Sequence, residues 1–138
     1  MLELLEMHAS MDVVELTDSA KDIEDPTQLI AIFSDWAAAF RANDSTWGLL
    51  ALELFRRARR DAAFGKRHSE LFRAQWKGLG RILLKMFPKG EAPATAETLG
   101  ALVCELTYGS ASGFMSGAKV GELVKTVLTA LFVAYGKR

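Results

Sequence analysis

Cysteine, histidine and proline are all scarce in this chain of 138 residues, with one, two and three copies respectively. A single cysteine, Cys104, excludes an intramolecular disulfide and leaves no ligand spacing for a thiolate metal site. It falls in an apolar helical stretch, where a thiol behaves as a small buried hydrophobe. His8 and His68 stand on different predicted helices, and no HxxxH, HExxH or CxxC spacing occurs, so no metal centre is expected. Paired carboxylates are missing from every apolar face, and Glu97, Glu105 and Glu122 each read as solvated helix residues. Gly78-Leu79-Gly80 follows no strand, and the serines near Gly109 lack the strand–turn–helix setting of a nucleophile elbow. These absences predict a protein without enzymatic activity and without a cofactor.

Long apolar runs are missing too, since none approaches the ~20 residues that span a bilayer. The opening residues Met1 to Glu6 carry acid rather than an early positive charge, which is not a signal-peptide pattern. The expectation is a soluble, cytoplasmic protein with no membrane partner. Charge of one sign is absent as well: 17 basic and 17 acidic residues leave a formal net charge of zero. That argues against non-specific attraction to nucleic acid or to an anionic membrane, both of which favour a positive excess.

What remains is an ordinary globular composition, 50% hydrophobic and 25% charged, in a length that suits one domain over residues 1–138. Nearly every segment carries helical periodicity and none alternates at period two, so the predicted fold is all-α with about six helices. The first runs from Leu2 to Ala20. Asp25-Pro26 opens the second, with Asp25 as N-cap and Pro26 at the first helical position, where its missing N–H is not needed. The capping cluster Asn43 to Thr46 opens a third, from Thr46 to Arg60. After an Ala62-Ala63 hinge, a long fourth helix spans Phe64 to Phe87. Two prolines and a glycine between Pro88 and Pro93 end it in a loop, and Thr95 opens the fifth helix. A Gly-rich corner leads to the sixth, from Val120 to Tyr135.

Two features stand out on these helices. Trp36, Phe40, Trp47, Phe55, Phe72 and Trp76 line the inner faces of three consecutive helices. Aromatic rings so placed serve equally as plain core or as the wall of a ligand cavity. The last two helices form the other feature. Small residues from Gly100 to Gly113 imply close approach of another helix, since each interior glycine costs about 0.5–1 kcal/mol relative to alanine. The final helix is apolar over more than one face, which needs cover on two sides, and a second copy of the chain is a natural cover. The basic run Arg56, Arg57, Arg59 and Arg60, followed by Lys66 and Arg67, reads first as a complement to the negative end of a helix dipole. Phosphate binding is the weaker alternative.

Three stretches resemble the C-terminal regulatory domain of TetR-family transcriptional regulators. Trp47 to Asp61 looks like the family's sixth helix with its Arg-Asp end. Arg67-His68-Ser69-Glu70-Leu71-Phe72 resembles the start of the long helix after it. Leu99 to Gly109 is similar to the eighth helix with its glycine. The resemblance implies a repressor-type protein in which the last two helices build a four-helix homodimer interface. It also implies that the preceding helices enclose a small lipophilic effector. DNA would be bound only through an N-terminal helix-turn-helix domain, which this sequence lacks. The expected pocket residues are Met11, Trp36, Phe40, Trp47, Leu50, Leu54, Phe72, Trp76, Leu79 and Thr107, with His8 and Gln75 as further polar anchors. The expected interface residues are Gly109, Gly113, Val120, Val124, Leu128, Leu131 and Tyr135. The alternative is a stand-alone helical interaction module that heterodimerises with a full-length regulator or sequesters a lipophilic ligand.

Overall fold

The computed structural model describes residues 14–42, 45–109 and 116–137; within these, the side chains of 41–42, 45–52 and 109 are left aside. The described residues form six α-helices and no strand, as the periodicity predicts. We number them α1 (14–20), α2 (Pro26–Ala42), α3 (Ser45–Arg60), α4 (Ala62–Leu83), α5 (Ala96–Gly109) and α6 (Gly117–Tyr135), with a 3-10 turn at Leu84–Met86. Met11 and His8 of the first predicted helix, and Gly113 of the corner before α6, lie outside the described residues.

Side-chain oxygens cap four of the helix starts. The Gln28 N–H donates to Asp25 Oδ2 at 3.2 Å, and the Phe64 N–H donates to Asp61 Oδ1 at 3.1 Å. Thr98 N–H donates to Thr95 Oγ1, and Lys119 N–H to Ser116 Oγ, both at 3.2 Å. Each such cap is worth about 1 kcal/mol because it satisfies an otherwise orphan donor. The Asp61 cap corrects the expected hinge: Ala62 and Ala63 are the first turn of α4, and the break between α3 and α4 is Asp61 alone. The far end differs as well. The α-helical part of α4 stops at Leu83 and tightens into the 3-10 turn before Phe87 turns extended. The last helix begins three residues earlier than expected, at Gly117, because Ser116 supplies its cap.

Two helix pairs carry the core. α4 packs along α5, and α2 packs along α6. A Cβ on Gly80 would fall on the Ala96 carbonyl, and one on Gly100 would fall on the Trp76 carbonyl. These two contacts, Gly80 to Ala96 and Trp76 to Gly100, run in opposite order along the two helices, so α4 and α5 lie antiparallel with their backbones touching. At the α2–α6 seam a Cβ on Gly121 would stand 2.8 Å from the Ser34 carbonyl oxygen and 2.9 Å from Ala38 Cβ. Leu29, Phe33 and Ala37 of α2 and Val120, Val124 and Leu128 of α6 are fully buried along that seam. Leu79 and Leu83 of α4, Met86 of the turn, and Leu99, Val103 and Cys104 of α5 complete the core. Burying each of the larger side chains contributes about 1.5–3 kcal/mol.

Polar ties hold the periphery to this frame. Lys85 Nζ donates to the carbonyls of Ala20, Lys21 and Ile23 at 3.3, 2.6 and 3.0 Å, so one ammonium group closes the C-terminal end of α1. Beyond α6, the Lys137 N–H donates to the Met86 carbonyl at 2.9 Å. No described helix is long and apolar enough to cross a membrane.

Candidate functional site

Phe64, His68, Phe72 and Trp76 recur every four residues on α4, and that spacing stacks their side chains along one face. His68 stacks on Phe64 with ring centroids 5.9 Å apart and meets Phe72 at 4.3 Å. Phe72 meets the Trp76 ring at 6.5 Å. Phe55 of α3 closes on the same stripe, 5.6 Å from His68 and 6.2 Å from Phe72. From the other side, Tyr108 of α5 sets its ring edge-on to Phe72 at 5.9 Å and to Phe40 at 5.1 Å, and Phe40 leads on to Trp36 at 5.8 Å. The result is a continuous ladder of eight rings joining α2, α3, α4 and α5. Most contacts are edge-on or tilted, the arrangement that ring quadrupoles favour and that adds about 0.5–1.5 kcal/mol per pair beyond area burial.

Two clefts open on the α3–α4–α5 side of this ladder. The outer one, about 710 Å³, is walled by Phe55, Arg56, Ala58 and Arg59 of α3. Its other walls are Ala62, Gly65 and Ser69 of α4 and Glu105 of α5. The inner one, about 290 Å³, is floored by Phe55, His68, Phe72 and Trp76, with Ser69, Arg73 and Glu105 at its rim. Phe55, Ser69 and Glu105 belong to both, so the two clefts adjoin. Where α3 and α4 meet beside the outer cleft, Gly65 lies so close to the Ala58 carbonyl that a Cβ there would collide with it.

The charges around the clefts divide into engaged and open groups. Arg73 Nε donates to Glu97 Oε1 at 2.8 Å, and Lys77 lies 3.9 Å from the other carboxylate oxygen. That hydrogen bond holds the Glu97 carboxyl below its ordinary value and raises Arg73 in turn. Arg56 lies 3.4 Å from Glu53, and Arg57 and Arg67 rest over the Phe64 ring, 5.8 and 5.4 Å from its centroid. Arg59 and Glu105, one on each wall of the outer cleft, make no ion pair among the described residues. Trp76 Nε1 is buried with no hydrogen-bond acceptor among the described residues, at a cost of about 1–3 kcal/mol. Behind the ladder, burial pushes the Cys104 thiol up to about 12, which removes it from thiolate chemistry at neutral pH. No cluster of three metal-ligating side chains occurs among the described residues.

Of the expected pocket residues, Phe72 and Trp76 floor the inner cleft, and Trp36 and Phe40 join it through the ring ladder. Leu54 is buried on α3. Leu79 and Thr107 are fully buried and line neither cleft, and the Thr107 hydroxyl donates to the Val103 carbonyl of its own helix at 2.8 Å. Gln75 is buried on α4. Trp47 and Leu50 lie on α3, but their side chains, like Met11 and His8, fall outside what is described. His68, Ser69, Tyr108, Arg59 and Glu105 are additions; the four-residue spacing of Phe64, His68, Phe72 and Trp76 was the available signal for His68. Among the expected interface residues, Val120, Val124 and Leu128 are buried within the chain against α2, Leu131 is half-buried and Tyr135 is exposed. Gly109 ends α5. No protein-family model, curated protein or solved structure matches the chain.

Proposed function

We propose that this chain is the effector-sensing and dimerisation portion of a TetR-like transcriptional regulator, which takes a small lipophilic ligand in the α3–α4–α5 clefts. The observation that carries the reading is the floor of Phe55, His68, Phe72 and Trp76 beneath an open inner cleft. Aromatic side chains turned toward open space between bundle helices are the usual lining of a small-molecule site. A ligand seated there separates α3 from α4, and the differential affinity for the separated arrangement shifts the population toward it. In a regulator that shift would be passed through α1 to a helix-turn-helix domain ahead of it. Titrating apolar compounds against tryptophan fluorescence tests the site, because Trp76 lies in the floor. Saturable quenching that Phe72→Ala weakens is the expected result; no quenching by any apolar compound would sink the reading.

The dimer half of the proposal keeps Leu131 and Tyr135 of the expected α6 residues and gives up Val120, Val124 and Leu128. Val120, Val124 and Leu128 are consumed by α2, whereas Leu123, Val127 and Leu131 are half-buried and Tyr135 is 51% exposed. Leu131 already packs in part against the core, and the surface this second stripe leaves uncovered is what would meet its counterpart in another copy. Native mass spectrometry should give twice the chain mass for the wild type and a single chain mass for Leu131→Glu. A wild-type monomer at micromolar concentration would remove the dimer from the proposal.

A further inference from the structure

We infer that the occupant of the two adjoining clefts is an anionic amphiphile with a hydrogen-bond donor at its neck, of the kind formed by an acylated amino acid. The inference rests on the ligand-binding reading above and specifies its chemistry. The inner cleft offers rings and, apart from Glu105 where it adjoins the outer cleft, no uncommitted charge, since Arg73 at its rim is committed to Glu97 at 2.8 Å. An aliphatic or aromatic body suits that floor and nothing charged does. The outer cleft offers Arg56 and Arg59 on one wall. Arg56 is only weakly engaged, 3.4 Å from an exposed Glu53, and Arg59 makes no ion pair among the described residues. Two guanidinium groups one turn apart suit a carboxylate, which accepts from planar donors.

Glu105 decides the neck. It lines both clefts and makes no ion pair among the described residues, which puts it where head and body of such a ligand would meet. A carboxylate only accepts hydrogen bonds. Beside an anionic head it repels a ligand that brings no donor and holds one that brings an N–H or O–H. A plain fatty acid lacks that donor, whereas a secondary amide between head and tail supplies it. A quaternary ammonium head satisfies Glu105 but meets Arg56 and Arg59 with like charge.

The test uses the whole chain and three ten-carbon probes below their micellar concentrations, followed by tryptophan fluorescence and calorimetry. N-decanoylglycine carries the head, the amide N–H and the tail; N-decanoylsarcosine differs by a methyl group in place of that N–H; decyltrimethylammonium reverses the charge. N-decanoylglycine should bind about tenfold more tightly than the sarcosine analogue, the size expected when a charge-assisted hydrogen bond is lost. Glu105→Ala should abolish that ratio, and Arg59→Gln should weaken both anionic probes by about tenfold. Both positions are exposed, so neither substitution threatens the fold. Equal binding of glycine and sarcosine probes, an unchanged ratio in Glu105→Ala, or tighter binding of the ammonium probe would each overturn the inference. In those cases the cleft still binds an amphiphile and the ligand-binding reading survives. If no probe binds, and decanol does not bind either, both fall together.

Discussion

Replacing Gly100 by alanine is a sharp test of the α4–α5 seam, because helix propensity and packing predict opposite signs. Propensity alone favours the change by about 1 kcal/mol, since alanine loses less backbone freedom in a helix than glycine does. The structure sets the new methyl group on the Trp76 carbonyl, with the Trp76 carbonyl carbon and Cα as its next neighbours. All three are backbone atoms, so no flexible side chain can swing away and the two helices must separate. Overpacking of this sort costs about 1–3 kcal/mol, and an unyielding backbone puts it at the upper end. The net loss is then about 2 kcal/mol, a fall in Tm of roughly 4–8 °C for a domain near this size. The urea midpoint should fall by roughly 1 M at an unchanged slope of about 2 kcal/mol per molar. Gly78 provides the control. It lies on the same side of the seam in sequence, two residues from Gly80, yet a Cβ there meets nothing within 4 Å. Gly78→Ala should therefore raise stability by about 1 kcal/mol on propensity alone. Circular dichroism and tryptophan fluorescence during urea denaturation give both values. If Gly100→Ala stabilises the protein as Gly78→Ala does, the backbone contact between α4 and α5 is absent and the packing argument fails.

Three further outcomes are expected. Lys85→Met keeps the apolar stem but strips the ammonium from three carbonyls, which should lose about 1–3 kcal/mol and speed amide exchange at the end of α1; unaltered exchange there would mean the clamp contributes nothing. Glu97, whose carboxyl is depressed by Arg73, adds stability above its ordinary value of 4.5 that disappears as pH falls through the lower folded value. The stability difference between wild type and Glu97→Gln should thus be small and favour the wild type at pH 7, shrink as acid is added, and be weakened by salt. A difference that persists under strong acid would contradict the pairing. Cys104, pushed up to about 12 by burial, should resist a disulfide reagent at pH 8 in the folded protein and react once urea unfolds it; rapid reaction without denaturant would place the thiol at the surface.

Helix starts were legible in the sequence at Asp25 and Thr95, where a capping side chain directly precedes the helix and the chemistry is local; at Asp61 and Ser116 they were not. Asp61 shows the limit of the same signal. Two alanines after it looked like a break, although an aspartate three residues before Phe64 is what a fourth N-terminus requires. Glycine marked close approach without naming the neighbour. Gly100 faces Trp76 of α4, and Gly121 faces Ser34 of α2, and neither partner follows from spacing within one helix. That is why Val120, Val124 and Leu128 read as a surface awaiting a second copy while α2 already covers them. The aromatic floor was half legible for the same reason. Phe72 and Trp76 announce themselves by bulk, but Glu105 acquires meaning only from α3 and α4 standing opposite it.

One short turn bears more mechanical load than its three residues suggest. Lys85 grips the end of α1, Met86 receives the N–H of Lys137 beyond α6, and both are rigidly continuous with α4 through Leu83. The turn is a pivot shared by three levers. A wedge driven between α3 and α4 acts on one end of the 22-residue α4, and both attached segments hang from the other. Were that long arm to rotate, the two segments would have to follow it or lose their hydrogen bonds at the turn. In the proposed function, the length of α4 from cleft to turn is the arm through which a small separation at one end would be felt at the other.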